Sequence, residues 1–409
     1  MKADRYLSRR ASLMRASQVR ELLKWIGRDV ISLGGGIPDP ASFPLEELKQ
    51  IICEVIDARG SSALQYAPTE GIEELRRELA AFMVKRGIRA RAENVMITAG
   101  SQEALELIGR VFVDPGDVVV SENPTYLGAL QAFAVYEPRF VGVEMDEEGL
   151  MVERLQQWLR ELKSRGERVK LCYLVPTCQN PTGRCLSVER RKALLELAED
   201  YDFLIVEDDP YSYFYLDGVE PPSMKSLDRS GRVIYVSTIS KVLAPGLRLG
   251  WIVAEEEFVD KLAVAKQGGT LQSPTLSMHV LYEALRRGLV ERQLPKLKEI
   301  YGLRRDAMLK ALDDYMPRLV RWTRPCGGMF VWIEVPPHID MDALLPIALN
   351  VYKVAYVPGS GFHVDGGGRN TARLSFSYPP LDKMREGVAR LAKMIAEHAP
   401  ARSAMAVTA

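Results

Sequence analysis

The feature that most constrains the fold is an alternation of short apolar, β-branched runs with helical segments between residues 95 and 254. Residues 95–98, 118–121, 169–175, 203–209, 232–237 and 249–254 read as strands, and 104–112, a stretch after Pro124, 151–162 and 188–201 as helices. The strand runs are apolar at successive positions rather than at every second one, so both faces of the sheet they form are covered. Helical connections of this length bridge parallel neighbours. The expected fold class is α/β, a mostly parallel sheet sandwiched by helices, whose ligand sits beyond the carboxyl ends of the strands.

The pattern differs on either side of this block. Upstream, Leu13, Val19, Leu22, Leu23 and Ile26 can share one helical face, an extended V-I-S-L-G-G-G-I-P-D-P follows, and a helix is expected over 73–86. After Ser273 come a long helical region reaching about Tyr315, the strand G-G-M-F-V-W-I-E-V and a last helix over 382–397, which suggest a smaller α+β domain. The expected layout is an N-terminal arm and helix joined to the small domain (1–60), a large ligand-binding domain (61–290) and a C-terminal small domain (291–409). With 54 basic and 54 acidic side chains, no net field favours nucleic acid or a membrane surface. No apolar run has transmembrane length and no signal core follows the basic N-terminus, so a cytoplasmic protein is expected. Five cysteines without C-x-x-C spacing read as reduced thiols, and no metal site is expected from them or from the four histidines.

Chemistry-bearing residues cluster just past the strand ends. Gly100, Ser101 and Gln102 open a helix directly after M-I-T-A. Backbone N–H groups and a positive helix end make this either a phosphate seat or an ordinary cap by Ser101. Tyr126 in S-E-N-P-T-Y can stack on a flat heterocycle or fill core space. Asn180 precedes a proline in P-T-C-Q-N-P-T-G, where it can present its amide or simply shape a turn. Asp208 and Tyr211 leave the strand L-I-V-E-D-D-P-Y. A carboxylate at a buried strand end needs a partner, which a protonated ring nitrogen or an arginine would supply. Finally V-S-T-I-S-K-V-L-A-P-G-L-R places Thr238, Ser240, Lys241 and Arg248 around one turn. A lysine with an ordinary pKa of ~10.4 is a poor nucleophile while protonated. Alone it reads as a strand-end surface residue; among hydroxyls and an arginine it suits imine chemistry on a phosphorylated aldehyde.

In order and placement these motifs resemble the pyridoxal-phosphate-dependent class I/II aminotransferases of fold type I, over nearly the whole chain from the Gly34–Gly36 stretch to R-L-S-F at Arg373. The resemblance implies pyridoxal 5'-phosphate as cofactor, with Lys241 as its covalent attachment point and Asp208 as partner of its ring nitrogen. Asn180 and Tyr211 would contact the ring oxygen, and Tyr126 would stack on the ring. Gly100, Ser101, Gln102, Thr238, Ser240 and Arg248 would hold the phosphate, with Tyr66 reaching it from a neighbouring subunit of a homodimer. Arg373, with Gly35 and Asn180, would receive the substrate carboxylate. Two departures stand out. Thr238 occupies a position where serine or glycine is usual, and Glu103, where glutamine often follows G-S-Q, is expected to point away from the phosphate.

The implied reaction is a two-stage transfer of an amino group between an L-amino acid and a 2-oxo acid, with 2-oxoglutarate as the expected acceptor. A-S-Q-V-R-E-L at 16–22 is similar to the mobile helix of 2-aminoadipate aminotransferases, so Ser17 and Arg20, three residues apart, are candidates for the distal substrate group; a solvated helix face is the alternative. The subgroup also holds aromatic, kynurenine and alanine–glyoxylate enzymes, and a β-lyase on the same cofactor is a further alternative. About thirty residues ahead of the glycine stretch leave no room for the winged helix of MocR-type regulators. No G-x-G-x-x-G opens a helix after the first strand, which disfavours a nicotinamide enzyme.

Overall fold

The structure, a computed structural model, describes residues 5–14 and 29–399. The expected helix around 13–26, with Ser17 and Arg20, lies outside the described residues except for a 3₁₀ turn at Arg9–Leu13.

The apolar runs form one eight-stranded sheet from β1 (Val95–Thr98), β2 (Val118–Asn123), β3 (Arg139–Asp146), β4 (Gly149–Leu150), β5 (Val169–Leu174), β6 (Leu204–Asp209), β7 (Val233–Thr238) and β8 (Gly250–Val253), in the order β1-β8-β7-β6-β5-β2-β3-β4. The pairs β7–β6, β6–β5, β5–β2 and β2–β3 are parallel. β8 runs antiparallel to both β1 and β7. Only a turn, residues 239–249, separates β7 from β8, and so short a link lets the chain reverse but not cross over. β1, β2, β5, β6, β7 and β8 are buried almost throughout because helices cover both faces. β3 alternates buried and partly exposed residues, as a strand near the sheet's edge does, and its run R-F-V-G-V-E-M-D lacks the continuous apolar signal of the others.

Helices appear where the sequence places them, over Glu73–Val84, Ser101–Phe112, Val152–Ser164 and Val188–Asp200. Those over Leu45–Arg59 and Glu256–Gln267 were not expected. The long helical region is two helices, Thr275–Arg286 and Leu289–Tyr315, divided by Gly288 in the left-handed region at φ 65°. No helix among the described residues is long and apolar enough to cross a membrane.

A second, antiparallel sheet has the order β9-β10-β12-β11, from β9 (Arg321–Trp322), β10 (Phe330–Glu334), β11 (Val357–Pro358) and β12 (Thr371–Ser375). The arm after the first turn is stitched to this part of the chain. Ile31–Ser32 pairs in parallel with Val354–Ala355, the Ser375 amide donates to Leu33 O, and the Ser377 hydroxyl donates to Ile37 O at 2.7 Å. These bonds lay Gly34–Gly36 across the carboxyl ends of the large sheet, opposite Lys241.

Candidate active site

A cavity of about 500 Å³ opens at the carboxyl ends of β5, β6 and β7 and is roofed by the small sheet and the arm. Its floor begins at the helix Ser101–Phe112, whose N-cap is Gly100 at φ 84° with no side-chain cap. Ser101 is therefore the first helical residue rather than the cap, and the amides of the first turn keep their positive end toward the cavity. A Cβ at Gly100 would stand 2.6 Å from the Arg248 guanidinium, so glycine is needed for both the backbone angle and the close approach. Arg248 itself sits in the left-handed region and donates to Ala99 O at 2.8 Å. Ser101, Gln102, Thr238, Ser240 and Arg248 all line this end.

The Thr238 hydroxyl lies 2.7 Å from Leu249 O and 2.9 Å from Ser240 Oγ, and it accepts from the Ser240 amide at 3.1 Å. Its proton is engaged inside the turn, so Thr238 braces Ser240, which faces the cavity. Glu103 points away as expected: it accepts from the Ala99 amide and the Thr270 hydroxyl and lies 3.7 Å from Lys266 Nζ.

The middle of the cavity carries the titratable pair. Asp208 is buried at the end of β6; its Oδ2 accepts from Tyr173 at 2.8 Å, while its buried Oδ1 has no hydrogen-bond partner. Desolvation, with Asp209 adding repulsion, pushes its carboxyl up to about 7. Opposite, Lys241 Nζ donates to Gly36 O at 2.8 Å. Desolvation, followed by the charges of Arg373 and Arg248, lowers its amine to about 8. The orphaned carboxylate oxygen is the test of fit for a pyridine ring: a protonated ring nitrogen supplies the charge and the donor that Oδ1 lacks. The residues present fit pyridoxal 5'-phosphate.

Asn180 joins Tyr211 to Arg373 across the cavity. Its Nδ2 donates to the Tyr211 hydroxyl at 3.3 Å, and its Oδ1 accepts from Arg373 Nη1 at 2.9 Å. Arg373, on β12, also donates from Nη2 to Gly34 O at 2.9 Å, and its guanidinium lies 4.2 Å from the Phe330 ring centre. Its buried Nε has no partner. Burial lowers its pKa to about 10, so it remains charged at neutral pH.

Tyr126 lines the cavity, with its ring lying over Gly128, where a Cβ would meet it at 2.4 Å; its hydroxyl reaches Gln102 Oε1 at 3.4 Å. Gly36, rather than the expected Gly35, lines the cavity, and a Cβ there would press the Phe330 ring at 3.1 Å. Tyr66 is 78% exposed on the surface and does not line the cavity. Residues that sequence reasoning missed are Tyr173, Phe330 and Glu122. Glu122 is buried and holds the Asn180 loop by accepting from the Val175 amide at 3.0 Å and Gln179 Nε2 at 3.2 Å. Nothing in V-S-E-N-P distinguishes it from a surface carboxylate.

A family model described as aminotransferase class I and II matches residues 28–391. An aromatic-amino-acid aminotransferase of Thermococcus litoralis is 48% identical over 396 residues, covering 96% of this chain and 95% of that protein. The crystal structure of a Pyrococcus horikoshii kynurenine aminotransferase, in complex with PMP, superposes with a TM-score of 0.94 at 46% identity, covering 98% of this chain and 99% of that one. The alpha-aminoadipate aminotransferase of Thermus thermophilus, complexed with N-(5'-phosphopyridoxyl)-L-leucine, superposes at 0.90 with 39% identity, covering 97% and 99%.

Proposed function

The chain belongs to the class I and II aminotransferases and uses pyridoxal 5'-phosphate; from that premise we propose that it accepts aromatic and 2-aminoadipate-type L-amino acids, with 2-oxoglutarate as the amino acceptor. The observation that carries this reading is the make-up of the substrate end. Among the described residues the cations lining the cavity are Lys241, Arg248 and Arg373. Arg248 stands at the helix N-terminus and Arg373 beside Asn180, which leaves Ile37, Leu127 and Phe330 as apolar lining for a side chain. A planar or aliphatic side chain suits that surface. A distal carboxylate needs one more cation, and Arg20, outside the described residues, is the candidate that the sequence supplies, with Ser17 beside it. The names of the relatives span the same range.

The chain's own groups have distinct tasks in this reading. Ser101, Gln102, Ser240, Arg248 and the first helical turn would hold the phosphate, and Tyr126 would pack on the ring. Asp208 would keep the ring nitrogen protonated through Oδ1, while Tyr211 and Asn180 would donate to the ring oxygen. When bound, the cofactor supplies an electron sink for the pair left at the amino acid Cα. Arg373 grips the α-carboxylate with two donors and orients the Cα–H bond toward Lys241. Lys241 Nζ would take the Cα proton and hand it to the cofactor's carbonyl carbon, across the intervening nitrogen, a task suited to an amine lowered to about 8. Tyr66, exposed here, completes the phosphate site of a second copy in a homodimer. A panel of amino donors with 2-oxoglutarate tests the substrate range. Phenylalanine, tyrosine and 2-aminoadipate are expected to be accepted and Lys241→Ala to abolish transfer; in the donor half-reaction alone, where the dicarboxylic 2-oxoglutarate plays no part, Arg20→Ala is expected to impair only the dicarboxylic donors. Equal loss for all donors in Arg20→Ala defeats the specificity assignment.

A further inference from the structure

Three of the five cysteines, two from one loop and a third far along the chain, meet at the back of the Asn180 loop. The sulfurs of Cys178, Cys185 and Cys326 all lie within 4.8 Å of one another. Cys178 and Cys185 belong to the loop between β5 and the helix Val188–Asp200, and Cys326 belongs to the turn leading into β10, 141 residues beyond Cys185. The two segments are held together independently of the sulfurs. A Cβ at Gly183 would collide with Pro325 at 2.5 Å, and one at Gly328 with Cys178 Cβ at 2.8 Å. The turn is further tied down where the Leu216 amide donates to Cys326 O and the Gly328 amide to Phe214 O. The thiols are thus brought into register by the backbone.

Cys185 Sγ and Cys326 Sγ are 2.7 Å apart. That is inside the roughly 3.5–4.0 Å of ordinary heavy-atom contact. It is also too close for two thiolates on a tetrahedral metal, which at a metal–sulfur distance of about 2.3 Å stand about 3.8 Å apart. We propose that Cys185 and Cys326 are a reversible disulfide-forming pair that tethers the Asn180 loop to the turn entering β10. Both residues are partly exposed, whereas Cys178 is buried, so an oxidant reaches this pair first. The Cys178 amide donates to Cys185 Sγ at 3.1 Å. Hydrogen bonds from the Cys178 and Cys326 thiols hold the Cys185 thiol below its ordinary pKa, which marks it as the attacking sulfur.

The oxidant required is a small-molecule disulfide. The Cys185 thiolate attacks one of its sulfurs, the S–S bond breaks, and the first small thiol leaves with the proton that Cys185 lost. Cys326 then gives up its proton, its sulfur attacks that of Cys185, and the second small thiol leaves carrying that proton. Two protein thiols lose two electrons together, and one small disulfide becomes two thiols.

The test uses the holoenzyme incubated with oxidised glutathione, then alkylated under denaturing conditions and mapped by peptide mass spectrometry. The expected result is a fall from five titratable thiols to three, with one linked peptide joining Cys185 to Cys326. Closing so long a loop raises the thermal midpoint by about 5 °C over the dithiothreitol-treated protein. That rise is expected to vanish in Cys326→Ser and persist in Cys178→Ala. Because the thiol count and the map are read on the wild-type chain, a variant that fails to fold does not obscure the outcome. Five reactive thiols after oxidation, or a linked peptide containing Cys178 or Cys53, overturns the proposal. So does one equivalent of zinc retained through gel filtration, with the thiols unreactive until a chelator is added.

Discussion

The two ends of the cavity are built on different principles. The cofactor end is assembled from strand termini and a helix N-terminus of one sheet, and most of its polar groups are already engaged by the protein: Thr238 by Leu249, Gln102 by Gly128, Arg248 by Ala99. The substrate end depends on a single buried guanidinium from the second sheet, steadied by Asn180, Gly34 and the Phe330 ring. A rigid seat with many small donors suits a group that stays in place. A lone charged fork against apolar walls suits molecules that come and go with different side chains. In the proposed function chemistry is therefore concentrated at one end and selectivity at the other, with Asn180 as the shared contact.

The largest effect that would break this contrast comes from Asp208→Asn. In the proposed function Asp208 pairs with the cofactor's ring nitrogen, which an amide cannot hold protonated, so single-turnover amino transfer is expected to fall by about 100-fold or more, in line with the loss of one partner of a buried charge pair. The loss should be equal for all donors, and a donor-dependent loss would erase the division between the ends. Arg373→Lys should act in the opposite manner, raising KM for amino donors by about 10- to 100-fold through loss of the two-pronged contact while the cofactor's spectrum stays unchanged; an altered spectrum would show that the two ends are not separable.

The smallest effect concerns pH. In the proposed function a neutral Lys241 amine is needed for attachment of the cofactor, and burial with the nearby Arg373 and Arg248 charges lowers this amine to about 8. Reconstitution of the apoprotein should therefore accelerate as pH rises toward and through about 8 and then level off, measured by stopped-flow absorbance. A midpoint at the ordinary lysine value of ~10.4 would contradict the enclosure of Lys241. Arg373→Gln should move the midpoint upward, because removing a neighbouring positive charge makes the protonated amine easier to keep. Since the folded amine sits below its unfolded value, Lys241 costs stability when protonated. That cost is full below about 8 and fades as pH rises toward the unfolded value, so the contribution of this residue grows with pH in that interval.

Much of the cofactor end was legible in the residues themselves. Strand ends are marked by the switch from β-branched runs to Gly, Ser, Asn, Asp or Lys, and the ligand of a parallel sheet collects there. Lys241, Asp208, Asn180, Tyr211 and Gly100 stand out that way as candidates, each with a plain structural alternative, and the resemblance to a family supplies their roles. Tyr173 was not, because a tyrosine within an apolar strand looks like any core aromatic until the partner of its hydroxyl is known. Gly36 was confused with Gly35 because three consecutive glycines carry no register of their own; Phe330 and the arm's pairing with 354–355 decide which one faces the cavity.

What the sequence by itself determined is the class of architecture and the inventory of reactive groups, since hydrophobic periodicity and strand-end chemistry are local properties. Only the tertiary structure decided the bracing of Ser240 by Thr238, the orphaned oxygen of Asp208 and the meeting of Cys185 with Cys326. The Thr238–Ser240 contact, two residues apart, depends on how the turn folds back onto Leu249, and the others join segments tens to more than a hundred residues apart, where packing and the pairing of buried polar groups, rather than spacing along the chain, set the distances.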